Sequence, residues 1–188
     1  DEIYAALGLP WIPPELREDR GEIQAALAGK LPVLPVLSDI TAELHSHSTW
    51  SDGAFSIADM VQAARQRGLK MLAITDHTSS LGITNGLTVE RLRAQRKEID
   101  TLQAKIGREL TILQGAEVEI KADGSLDFPD EVLAELDVVI ASLHVSLRQP
   151  REIITARLIK AMHNPHVDII GHLSGRLLPN REGADLDM

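Results

Sequence analysis

The chain has 188 residues, 44% hydrophobic and 25% charged, enough for one sizeable core in an ordinary globular fold. A formal net charge of −9 and an aromatic content of 3% exclude a broad basic nucleic-acid platform and an extended base-stacking surface. They leave open a nuclease that works through bound divalent cations, and with no cysteine any such cation must take nitrogen and oxygen ligands.

Residues 1–40 carry five of the nine prolines, at positions 10, 13, 14, 32 and 35. Short helices are expected over 1–9 and 21–30, separated by Pro10-Trp11-Ile12-Pro13-Pro14. The proline-punctuated stretch after them reads as a linker into a domain that starts near Ser38. From Ile40 the pattern becomes strand, loop, helix, repeated. Residues 40–44 alternate apolar and polar as a first strand. Ser56 and Asp59 form a capping-box pair for a helix over 57–67, with Ile57, Met60, Val61 and Ala64 on one face and Gly68 as its stop. Residues 70–75 read as a buried strand, and 88–106 as a long helix closed by Gly107. A third strand covers 109–120, followed by a turn at Ala122-Asp123-Gly124 and a short helix over 130–136. Residues 138–142 form a fourth strand, Pro150 opens a helix to about Met162, and 167–171 form a fifth strand. Strands alternating with helices imply a parallel sheet in a barrel-like α/β fold, with reactive residues at the C-terminal strand ends. No run approaches the roughly 18 apolar residues of a membrane span. The N-terminus lacks the basic start and apolar run of a signal peptide, so the reading is a cytoplasmic protein with no membrane partner.

Five of the seven histidines fall where predicted strands end: His45, His47, His77, His144 and His172. In extended backbone, residues i and i+2 share a face, so His45 and His47 can reach one ion. Ser51-Asp52-Gly53 follows, and the glycine permits a tight turn that returns the Asp52 carboxylate. His77 is a further candidate ligand, with Asp76 either orienting it or capping the next loop. Glu117 lies in an otherwise apolar strand, where a carboxylate is costly unless paired or metal-bound; Glu119 is its expected hydrogen-bonding neighbour. His144 or His172 alone would read as a core histidine, but five such positions together read as a metal site. Mixed nitrogen and oxygen donors suit manganese or zinc without choosing between them. His163 and His166, at a helix-to-strand turn, carry no expected chemistry. Arg148 and Arg176 follow His144 and His172 in loops that would face the site, where each is either a phosphate holder or a solvated surface residue.

These residues resemble the polymerase and histidinol phosphatase (PHP) domain. The matching signatures are His45-x-His47 with Ser51-Asp52-Gly53, Thr75-Asp76-His77, Gly115-x-Glu117, Ser142-x-His144 and Gly171-His172. The resemblance implies a distorted seven-stranded TIM-like α/β barrel, (β/α)7, that holds up to three divalent ions and hydrolyses phosphoesters. It implies a first ion on His45, His47 and Glu117. A second would be bridged by Glu117 and completed by His144 and His172, and a third served by Asp52 and His77. Glu117 and Asp76 are then the expected catalytic residues. The family's last-strand aspartate and histidine have no counterpart, and only sixteen residues follow His172. The expected barrel is therefore truncated after its fifth strand, with self-association through open edges as a consequence. Residues 2–17 resemble the end of the thumb of bacterial family X DNA polymerases. This implies that 1–40 are thumb and linker, that 41–188 are the phosphoesterase domain, and that an N-terminal polymerase domain and DNA are its partners. The implied activity is 3′–5′ exonuclease or 3′-end processing in DNA repair. The alternatives are a small-molecule phosphatase of the histidinol phosphate type and a structural module without turnover.

Overall fold

The computed structural model describes residues 2–80, 82, 84–177 and 179–187, and the chain divides into two units, Asp1–Ile40 and Thr41–Met188. In the first, prolines and left-handed glycines keep regular structure short: two α-helices, α1 (Glu2–Ala6) and α2 (Glu22–Leu27), and 3-10 turns at Pro14–Leu16 and Leu37–Asp39. The Arg17 guanidinium lies 5.1 Å from the centre of the Tyr4 ring and donates twice to the Ile12 carbonyl, at 3.0 and 2.8 Å.

The second unit alternates strands and helices: β1 (Ala42–Glu43), α3 (Ile57–Gln66), β2 (Met71–Ile74), α4 (Val89–Ile106), β3 (Thr111–Glu119), α5 (Asp130–Leu133), β4 (Val138–Ser142), α6 (Arg151–Met162) and β5 (Ile169–Ile170). The five strands form one parallel sheet in sequential order, β1 to β5, a TIM-like α/β arrangement. Helix boundaries follow the local chemistry. The Ser56 side chain accepts from the Asp59 amide to start α3, and Thr88 accepts from the Arg91 amide to start α4. Gly68 and Gly107, both with positive φ, end them. The outer strands are shorter than the pattern of apolar residues suggests, because β1 and β5 each have only one neighbour to define a ladder. The short helix expected over 130–136 likewise stops at Leu133.

Three apolar clusters lie between the sheet and its helices. Ile57, Val61, Ala64, Leu72, Ile74 and Ile99 join α3 and α4 to β2; Leu92, Ala116, Val118, Leu133 and Val139 join α4 and α5 to β3 and β4. Ile154, Leu158 and Ala161 of α6 cover Ala141 and Leu143.

Strand β3 positions the site by changing partner midway. Residues 111–114 pair with β2, whereas 115–119 pair with β4. This stagger carries the second half of β3 beyond the end of β2, as strand shear does in a closing barrel. The change occurs at Gly115, where a Cβ would lie 2.5 Å from the Val138 carbonyl oxygen and 2.6 Å from Val138 Cγ1. Gly115→Ala is expected to cost about 1–3 kcal/mol of stability through overpacking. A urea midpoint unchanged from wild type would contradict that close approach.

Candidate metal centre

Side chains on a strand alternate between faces, and here the alternation separates core from chemistry. Leu72 and Ile74, Ala116 and Val118, and Val139, Ala141 and Leu143 belong to the apolar clusters. The intervening set, continued past the strand ends, is Thr75 and His77, Glu117 and Glu119, and Ser142 and His144. Glu117 lies within β3 rather than at its end. The stagger nevertheless sets it level with His77, to which it is joined by a parallel bridge. The Glu117 amide donates to the Asp76 carbonyl at 3.1 Å, and the Thr78 amide to the Glu117 carbonyl at 3.2 Å.

The five strand-end histidines close a ring around Glu117, which is only 2% exposed. Neighbouring ring centres are 5.3 Å apart for His45–His47, 4.4 Å for His47–His77 and 5.2 Å for His77–His144. The circuit continues with 4.9 Å for His144–His172 and 6.0 Å for His172–His45. The two carboxylate oxygens divide the ring between them. Oε2 faces His45 Nε2 and His47 Nε2, each at 3.3 Å, and His77 Nδ1 at 3.1 Å. Oε1 faces His172 Nε2 at 2.7 Å and His144 Nε2 at 3.3 Å. Asp52 stands at the rim, 3.7 Å from His47 Nδ1 and 3.6 Å from His77 Nε2. The glycine after it matters for contact rather than for a left-handed turn: a Cβ on Gly53 would lie 2.1 Å from the His47 carbonyl oxygen.

Burial opposes ionisation of Glu117, but hydrogen bonds from His144, His172 and His45 outweigh it and hold the carboxyl far below the ordinary carboxylate range. His144 is also desolvated, yet Glu117 and Glu119 push its pKa up to about 9. His77 goes the other way. Burial lowers its pKa, His47 and His144 add to that effect, and Glu117 and Asp52 oppose it.

The donor chemistry fits divalent cations. Three groups, His45/His47/Glu117, His47/Asp52/His77 and His77/Glu117/His144, each offer ligand atoms within 4.8 Å of one another. Contacts of 3.1–3.3 Å match the edge expected for two ligands about 2.0–2.2 Å from one ion. The buried Nδ1 of His47 has no hydrogen-bond partner among the described residues.

Around this ring lie further supports: Glu119, expected as a hydrogen-bonding neighbour of Glu117, bonds His144 instead, and Arg157 was not singled out in the sequence. His144 Nδ1 lies 2.7 Å from Glu119 Oε2, so a proton there leaves Nε2 as the inward-facing donor atom. Glu119 Oε1 accepts from the backbone amides of His144 and Val145, at 3.1 and 3.2 Å. Arg157, buried on α6, approaches the same oxygen at 3.7 Å and donates to Val145 O and Gln149 Oε1, each at 3.0 Å. Its sequence signal was an arginine on the helix face that also carries Ile154, Leu158 and Ala161.

Asp76 corrects the sequence reading. It neither orients His77 nor caps the loop that follows: adjacent residues in extended backbone point to opposite faces, and its carboxylate turns toward the helices and the preceding loop 48–52. There it accepts from Ser48 N and Oγ at 2.8 and 2.6 Å, Ser51 N and Oγ at 3.2 and 2.5 Å, and Gln95 Nε2 at 2.6 Å. Arg148 and Arg176 are exposed, and their guanidinium groups make no hydrogen bond or ion pair among the described residues.

Comparison with known proteins places this geometry in a family. The model of the PHP domain matches residues 43–184. The "DNA polymerase/3'-5' exonuclease PolX" of Bacillus subtilis (strain 168) is 49% identical over 187 residues, covering 100% of this chain and 32% of that protein. A "Probable phosphatase" of Thermoanaerobacter sp. (strain X514) is 33% identical over 146 residues, 74% of this chain and 56% of its own length. The chain thus spans about a third of the first relative and little more than half of the second. Among solved structures, a "putative histidinol phosphatase hisK" from Listeria monocytogenes aligns with a TM-score of 0.46 at 20% identity, over 55% of this chain and 44% of that one. No helix among the described residues is long and apolar enough to cross a membrane. The family match runs from β1 to beyond β5 and takes in every histidine of the ring, so the chain belongs to the PHP domain family.

Proposed function

We propose that residues 41–188 are a metal-dependent phosphoesterase that removes nucleotides or blocking groups from DNA 3′ ends. In this reading residues 1–40 are the end of a polymerase thumb and a linker, and the whole serves DNA repair within a longer cytoplasmic family X polymerase. The observation that carries the hydrolase reading is the division of Glu117: one oxygen faces three histidines and the other faces two. That arrangement suits a carboxylate shared by neighbouring cations. His45, His47 and Glu117 would hold one, Glu117, His144 and His172 a second, and Asp52 with His77 a third; manganese and zinc both suit these donors. Bound divalent cations supply Lewis-acid polarisation of phosphoryl oxygens and acidification of water. The protein's own part is positional and electrostatic. Glu119 keeps the His144 proton on Nδ1, and the ring of five histidines encloses Glu117, which is buried. Arg148 and Arg176 bind backbone phosphate.

The DNA reading is supported by the relative named for a 3′–5′ exonuclease, which is similar over the whole chain, including residues 1–40. A small-molecule phosphatase is the second reading, supported by relatives described as phosphatases that cover 74% of the chain. The two separate on substrates. With manganese or zinc added, the longer protein carrying these residues is expected to shorten a 3′-recessed duplex faster than it releases phosphate from histidinol phosphate. Faster turnover of the small ester overturns the DNA reading, and turnover of neither supports a structural module. Replacing Arg148 or Arg176 with alanine is expected to raise KM for DNA about tenfold, the worth of one charged hydrogen bond, with kcat little changed. Unchanged KM in both variants would remove the two arginines from the phosphate path.

A further inference from the structure

A continuous line of two buried amides and one buried carboxylate runs behind the metal centre, on the helix side of the sheet. Gln95 of α4 is 0% exposed and Gln114 of β3 is 2% exposed, both among apolar neighbours. Gln114 Nε2 donates to the Leu92 carbonyl at 2.7 Å and to Gln95 Oε1 at 3.0 Å. Gln95 Nε2 in turn donates to Asp76 Oδ2 at 2.6 Å. Asp76, itself 0% exposed, spends its remaining acceptor capacity on the amides and hydroxyls of Ser48 and Ser51. Those serines immediately follow His47 and immediately precede Asp52. No member of this line belongs to the groups of candidate ligands around Glu117, and the proposed hydrolysis does not use it.

We propose that Gln95 is a positioning residue: acting through Asp76, it sets the loop 48–52 so that Asp52 faces His77 at one cation subsite. The inference rests on the metal-centre reading above. The physical argument is one of satisfied partners. A carboxylate with five donors has one arrangement in which all are met, and the loop is bound to it through two backbone amides as well as two hydroxyls. Gln95 is the donor that comes from outside the loop, and its own orientation is set by Gln114. Removing it leaves Asp76 free to turn and the loop free to follow. Asp52 should feel this most, because it stands at the half-exposed rim and is 3.6–3.7 Å from its histidine neighbours. Glu117 should feel it least, being held in the middle of β3 by both neighbouring strands.

Gln95→Met keeps the volume and removes the donor, and Gln103→Met is the matched control. Gln103 lies on the same helix and its side chain bonds the Gly107 and Leu110 carbonyls and the Ile112 amide, with no path to the loop. Two measurements are made on the whole chain. In the metal-free protein, amide hydrogen exchange at Ser48 and Ser51 is expected to quicken at least tenfold in Gln95→Met and not in Gln103→Met. In a calorimetric titration with manganese, Gln95→Met is expected to weaken the most weakly bound cation about 10–100-fold, the range seen when outer supports of metal ligands are lost. The tighter cations should be retained. Asp52→Asn should weaken that same cation, and adding Gln95→Met to it should do nothing more. Faster exchange with unchanged manganese binding reduces Gln95 to a structural residue and overturns the proposal. So does a uniform loss of all cations in step with thermal stability. If Gln95→Met does not fold, Ser51→Ala, which removes one of the same five donors with a smaller change in volume, takes its place under the same outcomes. Wild-type protein that binds no manganese would remove the metal-centre reading itself, whereas exchange data alone report on the hydrogen-bonded line.

Discussion

Glu117→Gln is expected to abolish binding at both cation positions that share this side chain and to cut phosphoester turnover by on the order of 10³-fold or more. Lewis-acid stabilisation of a phosphoryl transition state is worth several kcal/mol, and each ~1.4 kcal/mol is tenfold in rate. The substitution is isosteric, so the fold should persist. An amide, however, presents one acceptor oxygen where the carboxylate presents two. Its NH2 would face histidine nitrogens that now point at Oε1 or Oε2. Asp52→Asn should be milder, because that carboxylate neighbours only His47 and His77. The check is metal content by elemental analysis together with turnover at saturating substrate. A Glu117→Gln protein that keeps its full complement of cations and stays within tenfold of wild-type turnover would falsify the shared-carboxylate reading.

The second large effect is a pH dependence that reverses when cations are added. His144 has its pKa pushed up to about 9 from 6.5, because Glu117 and Glu119 outweigh its desolvation. A group whose folded pKa lies above its unfolded value stabilises the fold fully below the unfolded pKa. That contribution is lost as pH rises through the folded one. The chelator-treated chain should therefore show a melting temperature that falls between about pH 6.5 and 9. Glu117 acts on the other limb: its lowered pKa stabilises the fold above the ordinary carboxylate value and loses that contribution as the solution is acidified below it. Cation binding must displace the His144 proton, so apparent affinity for manganese should rise up to about tenfold per pH unit until pH 9. Stabilisation by added metal then grows over the window in which the metal-free protein weakens. Glu119→Gln should flatten both slopes, since it removes one of the two carboxylates that hold the proton. A metal-free melting temperature that stays level or climbs from pH 6.5 to 9 would count against the assignment, as would manganese affinity independent of pH.

Much of this architecture was legible in the chain because its signals are local. The Ser56 and Thr88 caps, the glycines at 68 and 107 and the apolar periodicity of α3 and α4 are written within one turn of the backbone they control. The candidate ligands were legible for a related reason. Histidines are rare at the ends of apolar strands, and the topology that brings strand ends together follows from strand–helix alternation. Other features depend on distances that no local pattern encodes. Asp76 and His77 are adjacent in sequence, yet the pleat sends one into the helix layer and the other into the ring. Gln95 lies 19 residues from Asp76 along the chain and 2.6 Å from it in space. Polar residues on apolar faces, Gln95 between Leu92 and Ile99 or Arg157 between Ile154 and Leu158, were visible as exceptions, but their partners were not.

Residue order alone determined the alternating α/β framework, the family and the identity of the six side chains gathered at one end of the sheet, because caps, periodicity and motif spacing act over a few residues. Tertiary structure decided how those side chains are used. The change of partner along β3 raises Glu117 to the level of His77, and only then can a single buried carboxylate turn one oxygen to His45, His47 and His77 and the other to His144 and His172. That division is a matter of register between strands some forty residues apart, and register is set by packing across the whole sheet.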